Sequence, residues 1–182
     1  MAVRTVSAPL AQLPNALTLA RLAVIPVFVV ILTTAEGARC GAAAILYGAA
    51  AITDQIDGFL ARRWHVESAF GKIADPLADR LLIDVAVIIL LLQYHRLPWI
   101  ALLIPLRDVA LILATPFALG RGYKFEVNLL GKIATWFLYF SLAMVMSTHE
   151  GARWPLWIFW TGVALAIVSL AMYALKARRE VE

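Results

Sequence analysis

Long apolar stretches alternate with short polar segments along the whole chain of 182 residues. Each stretch approaches the ~20 apolar residues that an α-helix needs to cross the hydrocarbon core of a bilayer. The pattern therefore predicts an all-α, polytopic membrane protein with six transmembrane helices, preceded by a short N-terminal interfacial segment at residues 8–16. The predicted spans are residues 17–34, 41–61, 70–94, 98–119, 129–146 and 156–175.

The composition agrees with this architecture, since 63% of the residues are hydrophobic and only 15% are charged. No hydrophilic stretch is long enough for a separate soluble domain, so we expect one membrane domain over residues 1–182. The single cysteine, Cys40, excludes an internal disulfide framework and a cysteine-based zinc cluster. In so apolar a chain the net charge of +4 indicates membrane orientation, and we expect no nucleic-acid partner.

The basic residues are divided unequally between the two ends of the predicted spans. Six spans place both termini on the same side of the membrane, and that side carries most of the Lys and Arg residues outside the spans. By the positive-inside rule, the side with the termini is cytoplasmic. Its basic residues are Arg4, Arg62, Arg63, Arg121, Lys124, Lys176, Arg178 and Arg179, and those of the opposite side are Arg39, Arg96 and Arg153.

Four aspartates stand at the border of the second and third spans: Asp54, Asp57, Asp75 and Asp79. Their spacings of three and four residues place each pair on one face of a helix. A carboxylate at membrane depth is costly without a partner, and four that converge would repel one another. Hard divalent cations, which prefer oxygen ligands, relieve that repulsion. The spacing therefore predicts a site for two metal ions, which opens to the cytoplasm because the polar turn at 62–69 joins its halves.

Small and basic residues accompany the aspartates and suit a phosphate ligand. Gly58 and Ala61 lack bulk, so a flat base or a diphosphate can approach the helix closely. Arg62 can form forked hydrogen bonds to phosphate oxygens. Gly71 lies one helical turn before Asp75 and leaves space beside the site.

Together these residues form one gapped pattern, Asp54-x2-Asp57-Gly58-x2-Ala61-Arg62-x8-Gly71-x3-Asp75-x3-Asp79. The pattern resembles, at all eight positions, the signature of the CDP-alcohol phosphotransferases, which are integral-membrane enzymes of phospholipid synthesis. The early segment LPNALTLARL is similar to the start of the bacterial phosphatidylglycerophosphate synthases. The resemblance implies transfer of a phosphatidyl group from CDP-diacylglycerol to an alcohol, with release of CMP. It also implies a homodimer in the bacterial plasma membrane, in contact with membrane lipids.

The resemblance further implies a role for each signature residue. Asp54, Asp57 and Asp75 would bind Mg²⁺ or Mn²⁺, and Asp79 would lie close to the second ion. Asp79 would also be the catalytic base that accepts the proton of the attacking hydroxyl. The implied contacts to the CDP group are Asp54, Gly58, Ala61, Arg62, Gly71 and Asp75.

Three basic residues are candidates for binding the acceptor: Arg21, Arg107 and Lys132. Arg107 adjoins Asp108 within the fourth span, and it could instead belong to a buried charge pair with other spans, since adjacent residues do not face one another on a helix. Lys132 could be a flanking charge that snorkels to the interface. Arg21 could instead pair with Asp108 or with a signature aspartate.

One further acidic residue, Asp84, lies outside the signature. It follows Arg80 by four residues, so we expect an ion pair within the third helix.

Different residues of the chain resemble family members that use different acceptor alcohols. Gly131-Lys132-x2-Thr135 is similar to phosphatidylglycerophosphate synthases, whose acceptor is glycerol 3-phosphate. Arg107-Asp108 is closer to the CMP-forming cardiolipin synthases, whose acceptor is phosphatidylglycerol, and Ala134 replaces a second Lys. We place glycerol 3-phosphate first, phosphatidylglycerol second, and the inositol phosphate of a phosphatidylinositol phosphate synthase third.

Other classes of membrane protein also use buried carboxylates. An intramembrane prenyltransferase binds a diphosphate through aspartate pairs and magnesium, but with a different spacing and usually more spans. A cation-coupled transporter would often show inverted repeats, and the chain has no matching second half. A non-catalytic scaffold gives no reason for the gapped pattern.

Overall fold

The computed structural model describes residues 8–37, 39–64, 71–120, 129–149 and 151–179. Within these ranges every regular element is helical, and the predicted all-α fold is confirmed for them. The helices, in chain order, are α1 (Ala8–Thr33), α2 (Gly41–Trp64), α3 (Gly71–Leu92), α4 (Leu103–Gly120), α5 (Leu129–Ser147) and α6 (Trp154–Arg179), with a short 3₁₀ helix (Trp99–Leu102) directly before α4.

Two of these helices contain stretches that are long and apolar enough to cross a membrane, Leu129–Ser147 and Trp154–Met172. Two shorter apolar stretches, Leu22–Thr33 and Gly41–Thr53, lie in α1 and α2. Six helices are therefore present in the described part of the chain, whereas six membrane crossings stay a prediction.

The structure corrects the predicted ends of the first and last helices. Residues 8–16 are not separate from the first predicted span, because α1 runs without a break from Ala8 to Thr33, whereas their position at the membrane interface stays a prediction. One proline removes a single N–H donor, and helix remains the conformation that pairs most backbone groups where water is scarce. At the other end, α6 continues past residue 175 to Arg179, because hydropathy marks the apolar part of a helix and not its last turn.

Helices α5 and α6 form the most extensive helix pair, an antiparallel hairpin connected by a short turn. A Cβ atom added to Gly131 would lie 3.1 Å from Ser169 Oγ, and one added to Gly162 would lie 3.2 Å from Leu138 Cδ2. Small residues of this kind allow two helix backbones to approach closely inside a membrane. The first contact joins the start of α5 to the C-terminal half of α6, and the second joins the middle of α5 to the N-terminal half of α6.

Most of the apolar core lies among α1, α2, α3 and α5, and α4 and α6 add Ile104, Phe159 and Val163. Tyr47 on α2 is fully buried and stands between two other rings, with centroids 5.5 Å from Phe28 on α1 and 5.3 Å from Tyr139 on α5. Aromatic pairs at this separation add to the stabilisation that burial alone provides. These contacts fix how α1 and α5 pack against α2, one of the two helices that carry the signature.

Hydrogen bonds fasten the end of the bundle opposite the signature. The Tyr94 hydroxyl donates to Leu32 O at 2.5 Å, which joins the segment after α3 to the end of α1. The Cys40 backbone N–H donates to Met146 O at 2.8 Å, which joins the start of α2 to the end of α5. The signature residues occupy the other ends of α2 and α3.

Candidate active site

The structure places all eight signature positions on two consecutive helices. Asp54, Asp57, Gly58, Ala61 and Arg62 belong to the C-terminal half of α2, and Gly71, Asp75 and Asp79 belong to the first turns of α3.

The helical backbone at these positions confirms the premise of the spacing argument. On helices, Asp54 and Asp57 share one face of α2, and Asp75 and Asp79 share one face of α3. Helices α2 and α3 contact one another. The signature side chains and residues 65–70 of the connecting turn lie outside the described set, so the convergence of the four carboxylates on shared ions stays a prediction. Four oxygen-donor side chains suit Mg²⁺ or Mn²⁺ chemically.

Next to the signature, the structure shows a cluster of charged side chains formed by Arg80 on α3 with Arg107 and Asp108 on α4. Asp108 Oδ1 accepts hydrogen bonds from Arg80 Nη1 at 2.6 Å, from Arg107 Nη2 at 2.7 Å and from Arg107 Nε at 2.9 Å. Asp108 is only 1% exposed, whereas the side chains of Arg80 and Arg107 are 35% and 19% exposed. One buried carboxylate oxygen therefore holds two guanidinium groups from neighbouring helices.

The predicted ion pair between Arg80 and Asp84 is wrong. In the described part of the chain, Arg80 forms its ion pair with Asp108 of α4. There it does not pair with Asp84, which lies one turn further along α3. Asp84 is 9% exposed, and its Oδ1 atom has no hydrogen-bond partner among the described residues. An ion pair is stronger where water is excluded, and Asp108 offers the more buried charge.

The expectation that Arg107 and Asp108 do not meet is also wrong, although Asp108 does pair with another helix. The Arg107 side chain is long enough to fold back along α4 and reach the carboxylate of its neighbour. The rule that adjacent helical residues face apart describes Cβ directions, and a long flexible side chain overcomes it. Arg107 is consequently held in place, with a fifth of its surface still accessible.

Of the other two acceptor candidates, Lys132 forms no described contact with this cluster. Lys132 is exposed on the first turn of α5, directly after Gly131, which packs against Ser169 of α6. Thr135 uses its hydroxyl to donate to Gly131 O at 2.9 Å. Arg21 belongs to α1, but its side chain lies outside the described set, so its pairing with Asp108 or a signature aspartate stays untested.

Sequence reasoning missed the part that Arg80 plays. Spacing alone assigned it to Asp84, although its position directly after Asp79 was a signal that it adjoins the signature. The pairing became visible only when α4 was placed beside α3.

Comparisons with known proteins extend over most of the chain. The family model described as CDP-alcohol phosphatidyltransferase matches residues 11–168. The chain is 39% identical over 138 residues to the CDP-diacylglycerol--glycerol-3-phosphate 3-phosphatidyltransferase of Bacillus subtilis (strain 168), covering 69% of this chain and 71% of that protein. It is 30% identical over 165 residues to the protein of the same name from Escherichia coli (strain K12), covering 88% of each chain.

Proposed function

Since the chain belongs to the CDP-alcohol phosphatidyltransferase family, we propose that it transfers a phosphatidyl group from CDP-diacylglycerol to glycerol 3-phosphate and releases CMP. The observation that carries this proposal is the family match over residues 11–168, which includes the whole signature on α2 and α3. The family assignment also disfavours the prenyltransferase, transporter and scaffold alternatives.

Glycerol 3-phosphate is the preferred acceptor because relatives from two distant bacteria carry it in their names. Phosphatidylglycerol remains the second candidate. Its support is Ala134, which is 1% exposed and offers no charge at the position where the resemblance expects a second Lys. A doubly charged small phosphate would lose more from that replacement than a singly charged lipid phosphodiester.

The reaction requires one displacement at phosphorus. The acceptor hydroxyl oxygen bonds to the phosphorus of the phosphatidyl group, and the bond from that phosphorus to the bridging oxygen of the diphosphate breaks. CMP leaves with that oxygen. Asp79, on the third turn of α3, takes the proton of the hydroxyl. No covalent intermediate with the protein is needed.

The remaining signature residues bind and orient the activated lipid. Arg62 pairs with the diphosphate oxygens, and Gly58 and Ala61 leave room for the nucleotide against α2. Two divalent ions held by the four aspartates would neutralise charge on the diphosphate.

The membrane arrangement follows from the same proposal. The active site and both termini face the cytoplasm, where nucleotide-activated lipids are made, and two copies of the chain form a homodimer. The excess of basic residues at the signature end and the apolar helices α5 and α6 support the membrane orientation, whereas the homodimer rests on the family resemblance alone.

The test is a reconstituted assay with purified protein in mixed micelles of detergent and CDP-diacylglycerol, supplied with Mg²⁺ or Mn²⁺. Glycerol 3-phosphate, phosphatidylglycerol and inositol phosphate are offered separately, and CMP is measured. We expect CMP release that depends on glycerol 3-phosphate. Release with phosphatidylglycerol alone would select the cardiolipin synthase alternative, and release with none of the three alcohols would reject the proposal.

A further inference from the structure

We propose that Asp108 is a positioning residue, which holds Arg107 and Arg80 as a fixed pair of cations for the phosphate group of the acceptor. The inference rests on the proposed function, because it assigns this pair to the alcohol substrate of that reaction. Neither arginine is part of the eight-position signature, and Asp108 itself would not touch the substrate.

The first support is the hydrogen-bond geometry. A single oxygen, Asp108 Oδ1, accepts from three nitrogens of two guanidinium groups, at 2.6, 2.7 and 2.9 Å. The other oxygen, Oδ2, is buried and has no hydrogen-bond partner in the described part of the chain. Two arginines that share one acceptor atom must lie side by side, so Asp108 sets both the position of each guanidinium and the distance between them.

The second support is the charge of this group. One carboxylate bonds two guanidinium groups, so these three side chains carry one surplus positive charge, which the nearby buried Asp84 offsets only in its ionised form. A guanidinium has five N–H donors. Arg80 uses one nitrogen on Asp108 and Arg107 uses two, so both retain N–H groups for a further acceptor. An arginine pair of this kind suits the oxygens of a phosphate.

The third support is that the two arginines are more exposed than Asp108, together with the position of Arg80 on α3. Asp108 is almost completely buried, whereas the two arginines remain partly accessible. The cations therefore lie on the outer side of their anchor, where a ligand can reach them. Arg80 directly follows Asp79 along α3, so one member of the pair stands next to the proposed base in the backbone of that helix.

A role in acceptor binding makes a different prediction from a role in stability. If Asp108 only neutralised two arginines, its loss would lower the amount of folded protein and affect both substrates alike. If Asp108 orients the arginines, its loss raises the KM for glycerol 3-phosphate selectively. Charge-assisted hydrogen bonds of this kind contribute enough to alter binding by roughly tenfold or more.

The experiment compares Asp108→Asn and Asp108→Glu with the unaltered protein, measuring kcat and both KM values in the CMP-release assay. For Asp108→Asn we expect a rise of about tenfold or more in the KM for glycerol 3-phosphate, with the KM for CDP-diacylglycerol changed less than about twofold. Asp108→Glu, which restores a carboxylate, should recover part of the loss. An unchanged acceptor KM in an active Asp108→Asn protein would overturn the inference.

Asp84→Asn is the matched control that separates hydrogen bonding from charge, since Asp84 is a buried aspartate that interacts electrostatically with Asp108, Arg107 and Arg80 but forms no described hydrogen bond to either guanidinium. We expect its acceptor KM to stay within about twofold of the unaltered value. An equal rise in both variants would show that negative charge near the arginines matters and that the hydrogen bonds from Asp108 do not, which would reject the anchoring role.

A double-mutant cycle separates action through Arg107 from independent effects. Asp108→Asn introduced into an Arg107→Ala background should raise the acceptor KM much less than it does alone, because its partner is already lost. Full additivity would contradict the inference. If the unaltered protein shows no acceptor-dependent CMP release, the proposed function fails. The arginine pair can then still be tested by thermal unfolding with glycerol 3-phosphate. The inference expects this ligand to shift the unfolding midpoint of the unaltered protein but not that of Asp108→Asn.

Discussion

Gly162 of α6 lies so close to Phe137 of α5 that a Cβ atom on the glycine would be 3.0 Å from Phe137 Cβ. A Cβ atom is fixed by the backbone, so the contact cannot be relieved by a change of rotamer. The separation of α5 and α6 at this level therefore depends on the missing side chain.

We predict that Gly162→Ala destabilises the protein, because the two helices must move apart to admit one methyl group. Overpacking of this kind costs about 1–3 kcal/mol, which should lower the midpoint of thermal unfolding in detergent by several degrees. Gly48→Ala is the matched control, since a Cβ atom at that helical position meets nothing within 4 Å. If the two variants unfold at the same temperature, the close approach of α5 and α6 has no energetic weight.

We predict that Asp79→Asn reduces the rate of CMP release by roughly 10²–10⁴-fold, because an amide cannot accept the proton of the attacking hydroxyl. Binding of CDP-diacylglycerol should change much less. The measurement is kcat in the reconstituted assay, with thermal unfolding as the check that the variant is folded. Full turnover by this variant would show that Asp79 is not the base.

We predict that a chelator abolishes activity and that added Mg²⁺ or Mn²⁺ restores it, because the signature aspartates then lose or regain the charges that balance them. Asp57→Asn should raise the metal concentration that gives half-maximal activity, since it removes one charged oxygen ligand. Titration of CMP release against each ion provides the measurement. Activity that persists in excess chelator would contradict the metal site.

We predict that Lys132→Ala raises the KM for glycerol 3-phosphate several-fold and leaves the KM for CDP-diacylglycerol unchanged. Lys132 is exposed at the start of α5, so its removal should not disturb the packing of Gly131 on Ser169. Lys132→Arg, which keeps the charge, is the control and should stay closer to the unaltered protein. If the alanine variant has a normal acceptor KM, Lys132 is a flanking charge that only snorkels to the interface.

The signature and the helices that carry it could be predicted from the chain alone. The predicted second, third, fourth and fifth spans agree with α2 to α5 within a few residues, because a helix in an apolar setting depends on local hydropathy. The family assignment was equally accessible, since the spacing of Asp54, Asp57, Asp75 and Asp79 is a property of the sequence.

The partners of the charged side chains were decided by tertiary structure alone. The spacing along α3 predicted that Arg80 pairs with Asp84. The packing of α4 beside α3 instead places the more deeply buried carboxylate of Asp108 at 2.6 Å from Arg80 Nη1. Sequence separation measures distance along one helix, whereas the strength of an ion pair depends on which helices meet and how completely water is excluded between them. For that reason the sequence determined the helices and their chemistry, and only the packing of those helices determined that Arg80 and Arg107 share the carboxylate of Asp108.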